Sequence, residues 1–417
     1  MAQLPSKLRF AFTPSGGYKA GALYPVVPND NVGNFDVSRT GVATRVNKHG
    51  LIELVNENVP RLDYSDGGCP KLLTEKGSTN QFFNSVDFTQ SNWAVTNASI
   101  TTSSEPSPDG NSSFKMNDNS TNGVHLLNGN PIVFPNGASF SVFAKAGEYR
   151  NFAIANLSSL KYIKFDLSEG VVISVGSGWS NAMIEYFGNG WYRCSGRTIS
   201  NSTCGYGLID DNLNSSFSGN GTKGVYIWGA QSEDALDFPT SYIPTNTNSA
   251  VSRAPDNVTG GGDSSTFNSQ SGVLFADIKG DLSSFNRQIE IKNSSNSYIS
   301  LRLQSSTAVT AVLVDNGSQR IYATVSSVST TLQNKLALCY NSSGISIVIN
   351  GVVYKFGGDW SFPNGTYNEL TFSDNLKFYG KTKSIQHYDS LSDLELEQLT
   401  GYDSYSAMTS QFNFNVL

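Results

Sequence analysis

The sequence predicts an all-β chain: an extended N-terminal anchoring arm followed by two antiparallel β-sandwiches of jelly-roll type, with one short helix near the C-terminus. Three observations carry this. Short runs of alternating apolar and polar residues recur along most of the chain, as expected for half-buried strands. Clusters of Gly, Asn and Ser separate them and read as turns. Only 15% of the residues are charged while Gly numbers 39 and Tyr 19, a balance that favours strands over helices. At ~150 residues per domain, a chain of 417 residues fits two or three domains.

Residues 1–83 read as the arm. Ala11-Phe-Thr-Pro-Ser-Gly-Gly-Tyr18 and Leu23-Tyr-Pro-Val-Val-Pro28 hold prolines and glycines that prevent long helices. Two short alternations, Phe35-Asp-Val-Ser-Arg39 and Gly50-Leu-Ile-Glu-Leu-Val55, are bounded by turn residues. A stretch this poor in its own core needs a partner surface, so it is expected to lend strands to something larger than itself.

Residues 84–253 form the first expected sandwich, with strand signals at Phe140–Lys145, Phe152–Ala155, Tyr162–Leu167, Ile184–Phe187, Trp191–Cys194 and Val225–Ala230. The glycine-rich Gly260-Gly-Gly-Asp-Ser-Ser265 follows, and residues 254–401 form the second. Its strand signals are Val273–Ile278, Gln288–Lys292, Tyr298–Leu303, Ala311–Val314, Lys335–Tyr340, Ile345–Asn350 and Leu376–Gly380. Asn350-Gly351 is the strongest hairpin signal, because a two-residue turn of the favoured type needs φ > 0 at both positions. Leu391–Leu399 reads as a helix plugging one end of this sandwich, with Ser392 and Glu395 as a capping box and Gly401 as the stop. The tail 402–417 ends Gln411-Phe-Asn-Phe-Asn-Val-Leu417, an alternation suited to an edge strand that pairs with a neighbouring subunit or folds back.

Charge and hydropathy exclude several functions. A formal charge of −6, with 28 Lys and Arg never forming a run, gives nucleic-acid binding little electrostatic support. The stretch Met1–Phe10 carries Lys7 and Arg9 without an apolar run of signal-peptide length, and no run of ~18 apolar residues follows. The expectation is a chain neither exported through a signal peptide nor inserted in a membrane. The Asn-x-Ser/Thr triplets at Asn97, Asn119, Asn201 and Asn257 then reflect turn composition. Cys69, Cys194, Cys204 and Cys339 lack metal-ligand spacing and read as free thiols, with a Cys194–Cys204 bridge as the alternative.

Catalytic constellations are sparse. The three histidines, His49, His125 and His387, lie in three separate segments, and neither Gly-x-Ser-x-Gly nor His-Glu-x-x-His occurs. Gly219-Asn-Gly-Thr-Lys-Gly224 matches a dinucleotide fingerprint but precedes a strand, so it reads as a turn. Asp210-Asp211 and Glu233-Asp234 are the carboxylate pairs a glycosidase would need, yet strand neighbours point to opposite faces. The chain is therefore expected to be no enzyme and to need no cofactor. Structural calcium is the one ion considered, at the Asn117-Asp-Asn-Ser120 and Asp210-Asp-Asn-Leu-Asn214 turns.

Aromatic residues are the best chemical hint, because sugar rings stack on Trp and Tyr while their hydroxyls bond to Asn, Asp and Arg. Trp191, Trp228, Phe140 and Phe143 fall in expected strand cores. Tyr149, Arg150 and Trp179 lie beside polar or Gly-containing turns and are the candidate exposed glycan contacts.

A resemblance accompanies these readings. Val37-Ser-Arg-Thr40, Ala43-Thr-Arg-Val-Asn-Lys-His-Gly-Leu-Ile-Glu53, Asn58-Val-Pro-Arg-Leu-Asp-Tyr64, Cys69-Pro-Lys-Leu-Leu-Thr-Glu75 and Ser78-Thr-Asn80 resemble the N-terminal signature of bacteriophage head-fibre and tail-fibre proteins. Gly190-Trp-Tyr-Arg-Cys194, Trp228-Gly-Ala-Gln231, Thr240-Ser-Tyr-Ile-Pro-Thr245 and Val251-Ser-Arg-Ala254 resemble the carbohydrate-binding-module domain that follows in them. Phe378-Tyr-Gly-Lys-Thr-Lys-Ser384 and Leu394-Glu-Leu-Glu-Gln-Leu-Thr400 are similar to the close of their concanavalin A/laminin G-like domain. The resemblance implies a virion structural protein, a head or tail fibre or spike subunit. Its arm would attach to other virion proteins, its chains would form a homotrimer, and its sandwiches would contact cell-surface glycans. A capsid decoration protein without a ligand and a polysaccharide depolymerase are the alternatives.

Overall fold

The computed structural model describes residues 7–14, 16–19, 22–24, 35–129, 137–199, 203–282, 287–293, 297–357, 367–372 and 376–401. The expected edge strand at 411–417 lies outside them. The chain is all-β, with several antiparallel sheets and a helix at Asp393–Thr400.

The chain divides into two compact units whose boundaries cut through the arm. The first comprises the described parts of Met1–Arg39, Asn58–Lys76 and Pro255–Leu417, and the second comprises Thr40–Glu57 and Gly77–Ala254. The described strands of residues 1–83 belong to both units, which is where a segment without its own core finds apolar cover.

In the first unit a ten-stranded sheet faces a five-stranded one. The N-terminal strand Leu8–Thr13 pairs antiparallel with Gly380–Tyr388, setting Phe10 opposite His387 and Phe12 opposite Ile385. Lys71–Thr74 pairs with the other end of that strand. Phe10, Phe12, Phe35 and Leu72 from the arm thereby join Leu274, Ile289, Leu301, Leu338 and Ile347 in one buried core. Of the run Leu376–Gly380, expected as a strand, only Gly380 joins the strand Gly380–Tyr388; Phe378 before it is buried and donates its backbone N–H to Phe372 O at 2.7 Å.

Asn350 and Gly351 have φ of 48° and 88° and join Gly344–Ile349 to Val352–Gly357, as the sequence predicts. The capping box is also present: Glu395 N–H donates to Ser392 Oγ, and Ser392 N–H to Glu395 Oε2. The helix does not plug the end of a sandwich. Leu396 packs on the outer face of the large sheet with Val273, Phe275, Ala337 and Val348, because those strands are apolar on both faces.

In the second unit two six-stranded sheets enclose a core that includes Phe82, Trp93, Phe140, Phe152, Ile154, Trp179 and Tyr206. One sheet runs Ala98–Pro106, Ser112–Asp118, Gly224–Asp234, Ala138–Ala146, Trp191–Thr198, Trp179–Tyr186 in spatial order. The other runs Ala94–Thr96, Leu126–Asn128, Cys204–Ile209, Asn151–Asn156, Lys161–Asp166, Val171–Val175. On the far side of the first sheet the hairpin Ala43–Val46/Ile52–Val55 places Val46 and Ile52 against Phe143, Trp191, Trp228 and Tyr242.

All four cysteines are free. Cys194 and Cys204 sit in the core of the second unit, where burial pushes both thiols well above their ordinary range. Among the described residues no helix is long and apolar enough to cross a membrane.

Candidate functional site

The structure separates the three expected glycan contacts. Tyr149 and Trp179 are buried, 5% and 7% exposed, and both belong to the core of the second unit. Trp179 donates its Nε1–H to Lys161 O at 3.0 Å, and Tyr149 donates its hydroxyl to Asp118 at 2.9 Å. Their neighbouring turns are exposed, but the rings turn inward, since a large apolar area gains more from the core than from water. Arg150 alone projects outward, its side chain 52% exposed and paired with Asp166.

Arg150 opens onto a cleft of about 560 Å³ lined also by Asn151, Asp166, Ile173, Asp211 and Leu213. The register assembles it. Asn151 lies opposite Asp166 on one neighbouring strand and opposite Ile209 on the other. Phe152, Ile154 and Phe165 face the core, so the alternation of strands turns Asn151 and Asp166 to the outer face of the sheet. Val172 likewise packs inward, which turns Ile173 outward.

The turn 210–214 forms the roof. Asp210 accepts from the N–H groups of Asn212 and Asn214 at 3.0 and 2.7 Å and from Asn214 Nδ2 at 3.0 Å, so its carboxylate is spent on shaping the turn. Lys164 Nζ donates to Leu213 O at 2.7 Å, and Asn151 Nδ2 donates to Asp210 O at 3.0 Å. Leu213 is held at φ 64° and is 40% exposed. A leucine in left-handed backbone is uncommon, and here it presents an apolar side chain to the cleft.

Below this roof Asp166 is buried. Its Oδ1 accepts from the N–H groups of Ser168 and Glu169 at 2.9 and 3.1 Å, while Arg150 Nη2 donates to its Oδ2. Burial alone would raise its pKa, but these donors and the guanidinium charge hold it below the usual carboxylate range. Asn151, 2% exposed, has an Oδ1 with no hydrogen-bond partner.

The other motifs are occupied by the protein itself. The Gly219–Gly224 turn directs the N–H groups of Asn220 and Gly221 to Asp118 at 3.0 and 2.8 Å, so a side-chain carboxylate fills the place a phosphate would take. Glu233 is buried and accepts from Ser78 Oγ, Thr240 Oγ1, Gln231 Nε2 and Thr240 N–H. His125 and His387 are buried singly and His49 is exposed. Among the described residues no three His, Cys, Asp or Glu side chains converge as a metal site.

Sequence reasoning found Arg150 and marked the Asp210-Asp211 turn, which it weighed as a glycosidase carboxylate pair and as a calcium turn. Asn151, Asp166, Ile173 and Leu213 carried no signal, since only strand register brings them together.

No family model and no curated protein matches the sequence. Among solved structures, the chain is similar to domain 4 of AbnA, a GH43 extracellular arabinanase from Geobacillus stearothermophilus, in complex with arabinotriose. That likeness has 15% identity and a TM-score of 0.30 over 35% of this chain and 73% of the other. It is also similar to domains LG4-5 of the mouse laminin α1 chain, at 10% identity and a TM-score of 0.24, covering 64% and 86% of the two chains. A third likeness is to Trypanosoma rangeli sialidase in complex with the inhibitor DANA, at 9% identity and a TM-score of 0.24, covering 73% of this chain and 62% of the sialidase. Scores this low carry no argument about function.

Proposed function

We propose that this chain is a non-enzymatic, glycan-binding structural subunit of a bacteriophage particle, a head or tail fibre or spike protein that holds a sugar in the cleft of its second unit. The observation that carries the glycan reading is the cleft itself. It joins an exposed guanidinium and a carboxylate to apolar walls at Leu213 and Ile173, over a buried amide oxygen that lacks a partner. A sugar ring offers hydroxyls to the polar groups and C–H faces to the walls. The virion reading is supported by the resemblance of the segments Val37–Asn80, Gly190–Ala254 and Phe378–Thr400 to phage fibre proteins.

In this reading the N-terminal region attaches the chain to other virion proteins, and three chains associate. Many copies on one particle then raise the avidity of a shallow, weak site for a cell surface. Binding requires no cofactor, and calcium would serve only to stiffen a turn.

A glycan array probed with the full chain and with Arg150→Ala tests the site. Binding that the substitution weakens supports it. Absence of binding to any glycan favours a purely architectural decoration protein, and release of reducing ends from host polysaccharide favours a depolymerase. Immunogold labelling of purified particles with an antibody to residues 84–401 tests the virion reading, which unlabelled particles would sink. Sedimentation as a strict monomer would refute the trimer.

A further inference from the structure

The hydrogen-bonding inventory of the cleft narrows its ligand class, an inference that rests on reading the cleft as a sugar site. Both cations beside it are engaged: Arg150 donates to Asp166, and Lys164 donates to Leu213 O at 2.7 Å. Asp166 accepts from two backbone N–H groups and the guanidinium, and Asp210 from its own turn. Two acceptors remain. One is the carboxylate of Asp211, which is exposed and lines the cleft. The other is Asn151 Oδ1, and its identity as oxygen is fixed because the opposite end of the amide donates to Asp210 O at 3.0 Å; a flipped amide would set oxygen against oxygen. Arg150 and Lys164 against Asp166, Asp210 and Asp211 leave a net charge of −1 around the site.

We infer that the cleft selects a sugar residue that brings hydrogen-bond donors, a neutral hydroxyl-bearing ring or an amino sugar, and discriminates against uronic and sialic acids. A ligand hydroxyl or ammonium supplies the donor that Asn151 Oδ1 lacks and bonds to Asp211, while the ring's C–H face rests on Leu213 and Ile173. A ligand carboxylate meets like charge at Asp211 in a site of net negative charge, and must compete with Asp166 for the Arg150 guanidinium.

The test is titration calorimetry on the full chain with three probes: neutral oligosaccharides, chitosan oligomers and oligogalacturonate. Neutral or chitosan oligomers are expected to bind at least about tenfold more tightly than oligogalacturonate, the difference of one charge-assisted hydrogen bond. Asp211→Asn should weaken chitosan binding by a similar factor, and Asp211→Lys should shift the preference toward oligogalacturonate. Asp211 is exposed, so neither change threatens the fold. Tyr186→Ala, at an exposed ring on the other sheet, should change nothing. Preferential binding of oligogalacturonate that Arg150→Ala abolishes would overturn the inference while keeping the cleft as a sugar site. Binding of no probe, or binding that neither Asp211 nor Arg150 variants alter, would overturn the sugar reading of the cleft as well.

Discussion

Replacing Asp256 by Asn is expected to destabilise the first unit by about 3–5 kcal/mol, the cost of leaving a buried charge without its partner. Asp256 is 2% exposed and ties three stretches that are distant in sequence. Its Oδ1 accepts from Arg39 Nη1 at 2.9 Å, and its Oδ2 accepts from Arg61 Nη2 and from Glu75 N–H at 2.8 Å. Glu75 Oε2 accepts from Arg61 Nη1 at 2.7 Å, so two buried guanidiniums are matched by two carboxylates. Burial alone would lower the Arg61 pKa, but the two carboxylates drive it above its ordinary value, so the cation is fixed at any accessible pH. Asparagine keeps the shape but removes one of the two negative charges, and its NH₂ must face a donor. For a domain of this size the loss corresponds to a fall in Tm of roughly 10 °C. Urea denaturation gives the free energy, and hydrogen exchange of peptides spanning 58–76 and 255–280 localises it. Pairing Asp256→Leu with Arg61→Met should cost at least about 1 kcal/mol less than the two single changes added together. A change below about 1 kcal/mol for Asp256→Asn would show that the network contributes no more than a surface pair.

Three further outcomes follow from the same kind of reasoning. His387 is buried neutral, its pKa pushed down to about 4 chiefly by desolvation, so its contribution to stability is complete above about pH 6.5 and is lost as pH falls toward 4. Stability should decline there by up to about 1.4 kcal/mol per pH unit from this group, and His387→Gln should flatten that part of a Tm-against-pH curve. Gly351→Ala is expected to cost about 1–2 kcal/mol in urea titration through backbone strain at φ 88°, since the added Cβ would meet nothing nearer than 3.5 Å. Trp179→Ala should cost about 3–5 kcal/mol and lower sugar binding only as the folded fraction falls, whereas Arg150→Ala should lower binding with under about 1 kcal/mol lost, as calorimetry alongside thermal melts would separate.

What the sequence revealed was what local chemistry decides. The Asn350-Gly351 turn and the Ser392/Glu395 capping box depend on neighbours within a few residues, and both form as expected. The same logic applies to Asn316-Gly317, at φ 48° and 76° between Ala308–Asp315 and Ser318–Ser326, which the reading passed over. The arm was legible as a segment in need of cover. Its destination was not, because the pairing of Leu8–Thr13 with Gly380–Tyr388 joins residues more than 360 positions apart.

The candidate site shows why the nonlocal part stays hidden. A turn beside an aromatic residue says that the backbone is exposed there, and it says nothing of the ring's direction. Tyr149 follows the Gly147 turn, yet its hydroxyl points to Asp118, the carboxylate that the Asn220 and Gly221 amides also hold, so ring and glycine loop satisfy the same buried acceptor. Two residues later the chain enters a strand, and alternation sends Asn151 to the outer face, where register alone supplies Asp166 and the Asp210 turn. The polar groups that could meet a ligand are therefore the ones with the least to distinguish them in sequence. An Asn and two Asp become a cleft only because three strands end together and Lys164 draws Leu213 over them.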